Sequence, residues 1–260
     1  MSTIAKQIST IRLAGVDIEV ERRGSGSPIL VLYSEEALEL ESPVLDRLAA
    51  THELIIPSPP GFGHSERPDW ITCPDDISYI YLDLVDHLGL KNVTTIGFGL
   101  GGWLALEMAT KVNFAGKLVL VDPYGVKIGG PTDRDIQDIW TSHPSVVEKL
   151  KWRDTAKAKR DFANMTDDQL SIVARNVETF ARLCWEPYMH NSKLKRRLHR
   201  VNAPTLFIWG ANDGIITPAY GKAYAGLIKG AKLEVIDEAG HFPHLEQPEA
   251  FLKIVAPFIG

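Results

Sequence analysis

Six short apolar runs, most of them parted by segments with helical spacing, dominate this chain: Ile29–Tyr33, Leu54–Pro57, Val93–Gly97, Lys117–Asp122, Thr205–Trp209 and Lys232–Ile236. A strand that is apolar at nearly every position is buried on both faces. A sheet built from such strands needs helices on both sides, and alternation of strand and helix implies parallel pairing through crossovers. Upstream, Ile11–Leu13 and Val16–Val20 flank Ala14-Gly15, and Val16, Ile18 and Val20 alternate with acidic residues. That pattern predicts a hairpin with one buried face. Together the eight strands predict an α/β fold with a mostly parallel sheet.

The helices follow from their punctuation. Ser42-Pro43 supplies an N-cap and a first-turn proline. In Asp75–Leu88 the apolar residues Ile77, Ile80, Tyr81, Leu84, Val85 and Leu88 form one face. Trp103–Val112, Pro218–Leu227 and Pro248–Val255 complete the set. From Val126 to about Arg200 the chain is richer in charge, with helical patterns over Asp133–Thr141, Ser145–Lys151, Asp154–Met165 and Asp167–Trp185. This reads as an insertion. Residues 1–125 and 201–260 then form the core and 126–200 a helical unit set into it.

Several function classes drop out. The formal net charge is −5, which gives no footprint for nucleic acid. The basic run Lys193, Lys195, Arg196, Arg197 and Arg200 reads as a solvated helix face. Cys73 and Cys184 stand alone, outside any metal-ligand spacing, so no metal site is expected. No apolar stretch reaches membrane-spanning length, and Met1–Ser9 lacks the apolar segment of a leader. A cytoplasmic protein with no membrane partner is the expectation, and nothing indicates an oligomer.

The chemistry centres on Gly97-Phe98-Gly99-Leu100-Gly101-Gly102, between a strand and a helix. These residues spell G-x-G-x-x-G, with Asp122 ending the next strand about twenty positions later, as a dinucleotide-binding loop requires. The loop lies deep in the chain, however, whereas that fingerprint usually opens its domain. The other form available to it is the turn G-x-S-x-G, which exposes a serine nucleophile. Glycine stands in the serine slot.

Three further segments decide between these forms. Pro60-Gly61-Phe62-Gly63-His64-Ser65 resembles a Pro-Gly-x-Gly-x-Ser loop. Ala203–Asp213 resembles the strand and turn that present a catalytic acid, and Ala239–Pro248 the loop that carries a histidine. With Ile96–Met108 as the elbow and its helix, the chain resembles the α/β-hydrolase superfamily, in its cap-bearing esterase and C–C hydrolase branch, from about Ile11 to Phe258. The resemblance implies the fold already read from the strands, a helical cap over residues 126–200, no cofactor, and a small-molecule substrate. It assigns the acid to Asp213 and the base to His241, with Gly99 at the vacant nucleophile position. It assigns oxyanion-hole N–H groups to Leu100 and Glu35. Ser34, Tyr124 and Trp185 are expected to line the substrate pocket, with Trp140, Trp152 and Tyr188 as further aromatics of the cap.

Two departures set this chain apart. Gly99 removes covalent catalysis, although glycine adopts the strained elbow readily. The loop after Ile29–Tyr33 reads Tyr33-Ser34-Glu35-Glu36, where the family has His-Gly, so carboxylates stand where an oxyanion should form. An oxyanion-hole donor is worth about 3–4 kcal/mol of barrier. Replacement nucleophiles are Ser34 and, more remotely, Ser65. Asp122 is an alternative acid, and His244 is expected to be structural. The function follows as a hydrolase-family enzyme acting on a small organic ester, amide or C–C substrate. It either uses His241 and Asp213 for general-base chemistry or is a serine hydrolase inactivated by glycine. The alternative is a non-catalytic protein that binds a small molecule.

Overall fold

A computed structural model describes residues 5–158 and 160–260. Eight strands form one sheet: β1 Lys6–Leu13, β2 Val16–Arg23, β3 Ser27–Leu32, β4 His52–Pro57, β5 Val93–Phe98, β6 Ala115–Val121, β7 Thr205–Gly210 and β8 Lys232–Ile236. Their order is β1-β2-β4-β3-β5-β6-β7-β8. The pairs β1–β2 and β2–β4 are antiparallel and the other five are parallel, so the all-apolar runs do form a parallel sheet.

Helices cover both faces. On one side α1 (Pro43–Ala49) and α8 (Pro248–Ile259) pack on Val31, Ile96, Val119 and Ile208. On the other, α2 (Pro74–His87), α3 (Leu100–Lys111) and α7 (Pro218–Ala225) pack on Leu30, Leu118 and Phe207. Side chains of adjacent strand residues point to opposite faces, which is why one run of apolar residues feeds two cores. Helix α3 is buried from Leu100 to Thr110. A Cβ on Gly101 would stand 2.0 Å from the Leu32 carbonyl oxygen. That glycine lets α3 lie on β3 and needs no phosphate to explain it.

Between β6 and β7 run α4 (Pro144–Lys151), α5 (Asp167–Cys184) and α6 (Leu194–Arg197). The helices expected over Asp133–Thr141 and Asp154–Met165 do not form. Asp135 instead accepts the N–H groups of Ile128 and Gly129, and Asp138 those of Trp140 and Thr141. Carboxylates that bond nearby backbone N–H groups compete with helix formation. Residues 154–165 make only two short 3₁₀ turns, Thr155–Ala158 and Phe162–Asn164. Short polar bonds join α5 to the loop after β4: Asn176 Oδ1 accepts from Gly63 N at 3.0 Å, and Thr179 donates to Gly61 O at 2.9 Å. The basic run is a solvated face: Lys193, Lys195, Arg196 and Arg200 are exposed and Arg197 is half-buried, and Arg200 also donates to the Thr110 carbonyl at the end of α3. Cys73 and Cys184 are free thiols. Among the described residues no helix is long and apolar enough to cross a membrane.

Candidate active site

Every loop that follows a parallel strand ends at the same edge of the sheet, which is where open α/β folds build their sites. Gly99 follows β5 with φ 48° and ψ −113° and caps α3. Side chains avoid that backbone region, and glycine enters it freely. The turn between β5 and α3 therefore suits glycine. Leu100 opens α3, so its N–H lacks an intrahelical acceptor, as at any helix start.

Asp213 and His241 come together although they lie on separate loops. The His241 Nδ1–H faces Asp213 Oδ2 at 2.7 Å. Asp213 Oδ1 accepts from Ile215 and Ile216 N–H at 2.8 and 3.0 Å, which fixes its orientation. Both side chains are buried. Burial alone would lower the His241 pKa, but the Asp213 carboxylate outweighs it and holds the imidazole above its ordinary value. The histidine loop is fastened from the inserted segment. His241 N–H donates to the Lys151 carbonyl, and Gly214, beside Asp213, donates to that of Leu150 at 2.9 Å. Glu246, also buried, accepts from Gly240 and from Arg153 and Asp154.

The sequence placed Tyr124 in the pocket wall. The structure puts it at the centre. Its hydroxyl lies 2.8 Å from His241 Nε2, the nitrogen that faces serine in a complete triad. The same hydroxyl is 3.2 Å from Glu35 Oε1. Burial pushes the Tyr124 pKa well above that of a free phenol, so it is a neutral hydroxyl across the physiological range. The chain reaches this position because Asp122 takes a positive φ of 41° just after β6 and turns Pro123-Tyr124 inward.

Glu35 departs most from the sequence reading, which used only its N–H as an oxyanion donor. Glu35 Oε2 lies 3.1 Å from where a Cβ on Gly99 would stand, with Ser34 Cβ at 3.3 Å and Tyr124 Cε2 at 3.5 Å. A carboxyl group thus fills the space next to the missing serine. Glu35 is buried, which raises its pKa, while Lys151 and His241 pull it down. Lys151 Nζ is 3.8 Å from Glu35 Oε1 and pairs with Glu36. Arg160 reaches Glu36 as well, 3.4 Å from Oε2. Burial alone would raise Glu36, and these two cations hold it low.

The remaining expected residues fall elsewhere. Ser34 is buried and its hydroxyl donates to Glu39 Oε2 at 2.9 Å, so it does not point into a cavity. Trp185 is 52% exposed and stacks on Trp140 at the outer side of the insertion. It lies outside the cavity that Glu35 lines, because α5 ends at Cys184 and turns it outward. Ser65 donates to the Ser58 carbonyl and accepts from Glu19 N–H. His244 packs on Phe98, faces Glu39 at 3.3 Å and makes no contact with Gly99. Asp122 Oδ1 accepts from Gly210 N–H at 3.2 Å. Burial and the charge of Asp213 push its pKa well up. Its other oxygen, Oδ2, is buried without a hydrogen-bond partner.

One donor atom each from Asp122, Asp213 and His241 lie within 4.8 Å of one another, a grouping that could hold a metal ion. Hydrogen bonds already use Asp213 Oδ1, Asp213 Oδ2 and His241 Nδ1. The donor set therefore fits a hydrogen-bonded cluster better than a metal centre. Above Glu35 and Glu36 opens a cavity of about 430 Å³ whose walls include Trp140, Val147, Trp152 and Phe180. That is the size and character of a small-molecule site.

Residues 31–254 match the family model described as the alpha/beta hydrolase family. The chain belongs to that family. It is 24% identical over 263 residues to a 2-hydroxymuconate semialdehyde hydrolase of Pseudomonas sp. (strain CF600), covering 95% of this chain and 91% of that protein. It is 28% identical over 204 residues to 3-oxoadipate enol-lactonase 2 of Acinetobacter baylyi, covering 74% and 72%. Among solved structures, the meta-cleavage product hydrolase of Pseudomonas fluorescens superposes with a TM-score of 0.78 at 20% identity, over 96% of this chain and 97% of that one. The dinucleotide form of the glycine loop is set aside, because the family's match runs through that loop.

Proposed function

We propose that this protein is an enzyme of the hydrolase family that acts on a small organic substrate by proton transfer, without an acyl-enzyme. His241, oriented by Asp213, is the base. Tyr124 occupies the place of the serine hydroxyl and carries the proton between His241 and the cavity. The insertion over residues 126–200 serves as the cap that encloses the substrate. The carrying observation is the 2.8 Å contact between Tyr124 Oη and His241 Nε2. An imidazole titrates in the range where general-base catalysis is effective, and a positioned base is worth about 10²–10⁴ in rate. The C–C hydrolase and lactonase names of the relatives support a small carbonyl-containing substrate.

The test is turnover, followed by mass spectrometry, of dienoate C–C substrates, enol-lactones and simple esters. The wild type is expected to convert one class, His241→Ala to lose that conversion, and a serine-directed phosphonate to label neither. Unchanged turnover in His241→Ala would refute the reading. One feature favours a second, non-catalytic reading: the Lys151 and Arg160 cations are already met by the chain's own Glu36. Saturable binding without a product would establish it.

A further inference from the structure

The space beside Gly99 is occupied, and its occupant is chemically unusual. Glu35 is buried, and its Oε2 has no hydrogen-bond partner. A buried polar atom left unpaired costs about 1–3 kcal/mol. Glu21, Glu39, Glu107 and Asp122 also each bury one unpartnered oxygen, but Glu35 lines the cavity and stands against Gly99. The nearest cation, Lys151, stands 3.8 Å from the other oxygen and pairs with Glu36. The unpartnered atom lies at the elbow, where a substrate's reacting carbon sits in this family's architecture, and Glu35 also lines the cavity. Glu39 with His244 is the other buried acid–base pair near the elbow, but it lines no part of that cavity.

We propose that Glu35 is a catalytic group that exchanges a proton with the substrate, and that the substrate is a small carbonyl compound with a hydrogen on the adjacent carbon. The inference rests on the proton-moving role of His241 and names its partner. The Tyr124 hydroxyl touches both Glu35 Oε1, at 3.2 Å, and His241 Nε2, at 2.8 Å. Two groups that titrate are thus joined by one neutral phenol. In the forward step the C–H bond breaks and its proton goes to Glu35 Oε2. The electron pair becomes the enol double bond. The carbonyl oxygen takes the Tyr124 proton, which His241 imidazolium replaces. The carboxylic acid of Glu35 then returns its proton through Tyr124 to His241. Substrate and enol have the same atoms, no electrons enter or leave, and the enzyme is restored. A 1,3-proton shift needs no nucleophile, which accounts for Gly99. Glycine suits the position because its φ of 48° disfavours side chains and a Cβ would press on Glu35 Oε2 at 3.1 Å.

The experiment follows deuterium exchange at the carbon next to the carbonyl of pyruvate and of cyclohexanone in D2O by proton NMR. Wild-type protein is expected to accelerate exchange of one of them, and Glu35→Gln to slow it at least about 100-fold with the folded spectrum retained. Glu35→Asp, which withdraws the carboxyl by one methylene, is expected to slow it at least about ten-fold with KM little changed. No acceleration of either probe by wild type overturns the proposal, as does a rate in folded Glu35→Gln equal to wild type. If Glu35→Gln does not fold, an unchanged rate in Glu35→Asp overturns it. Exchange lost in His241→Ala but kept in Glu35→Gln leaves the role of His241 standing and removes that of Glu35. The opposite pattern keeps Glu35 and removes His241.

Discussion

Gly99→Ser tests whether this chain is a serine hydrolase that lost its serine or a site rebuilt around a carboxyl group. The substitution places an L residue at φ 48°, a conformation that costs about 1–3 kcal/mol. Its Cβ would meet Glu35 Oε2 at 3.1 Å and Ser34 Cβ at 3.3 Å, both tighter than ordinary contact. Overpacking of this kind costs about 1–3 kcal/mol, and the stiffer unfolded chain returns less than about 1 kcal/mol. The net destabilisation is about 1–6 kcal/mol, which lowers Tm by about 2–24 °C in a domain of this size. The new hydroxyl would face the buried Glu35 carboxyl, whose oxygens disfavour an oxyanion beside them. Thermal denaturation is therefore expected to show a lower Tm. p-Nitrophenyl acetate is expected to hydrolyse at the background rate, and a fluorophosphonate to leave the protein unlabelled. Adding Glu35→Gly clears the space, and labelling is expected to appear in the double variant. A single variant as stable as wild type that releases p-nitrophenol in a burst would refute the reasoning.

Two further predictions concern the charges. The His241 pKa is raised in the folded protein, so the Asp213 pair stabilises fully below the unfolded value of about 6.5 and loses that contribution as pH rises through the folded one. The stability gap between wild type and Asp213→Asn, measured by urea unfolding, should therefore be largest near pH 6 and shrink upwards; a gap that widens with pH would contradict it. Lys151→Met leaves Glu36 with Arg160 alone and takes the nearest lysine from Glu35. Removing one partner of a buried pair costs about 3–5 kcal/mol, so a loss below about 1 kcal/mol in urea unfolding would show the pair to be solvated.

The parallel sheet was legible because its central strands are almost wholly apolar, a pattern with few other solutions; the edge strand β8, with Lys232 and Glu234, is largely exposed. The insertion was less so. Asp135 and Asp138 sit at helical spacing among apolar residues, and only their bonds to nearby N–H groups reveal turns. Asp213 and His241 could be placed because each lies in a recognisable loop. The position of Tyr124 could not. It meets His241 across 117 residues of sequence, and the positive φ of Asp122 that aims it has no strong sequence signal. The available hint was its place two residues beyond a buried strand, at the functional edge of the sheet. Glu35 carried a clearer signal, since two adjacent acids at the end of an apolar strand must be neutralised somewhere.

The bonds from Leu150 and Lys151 to the two loops that bear acid and base have a consequence for traffic. The carboxy-terminal end of α4 is riveted to the catalytic floor. Lifting the roof there would pull His241 from its station. The neighbouring side is fastened to the same floor, since Lys157 donates to the Glu246 carbonyl and Arg160 to that of Glu36.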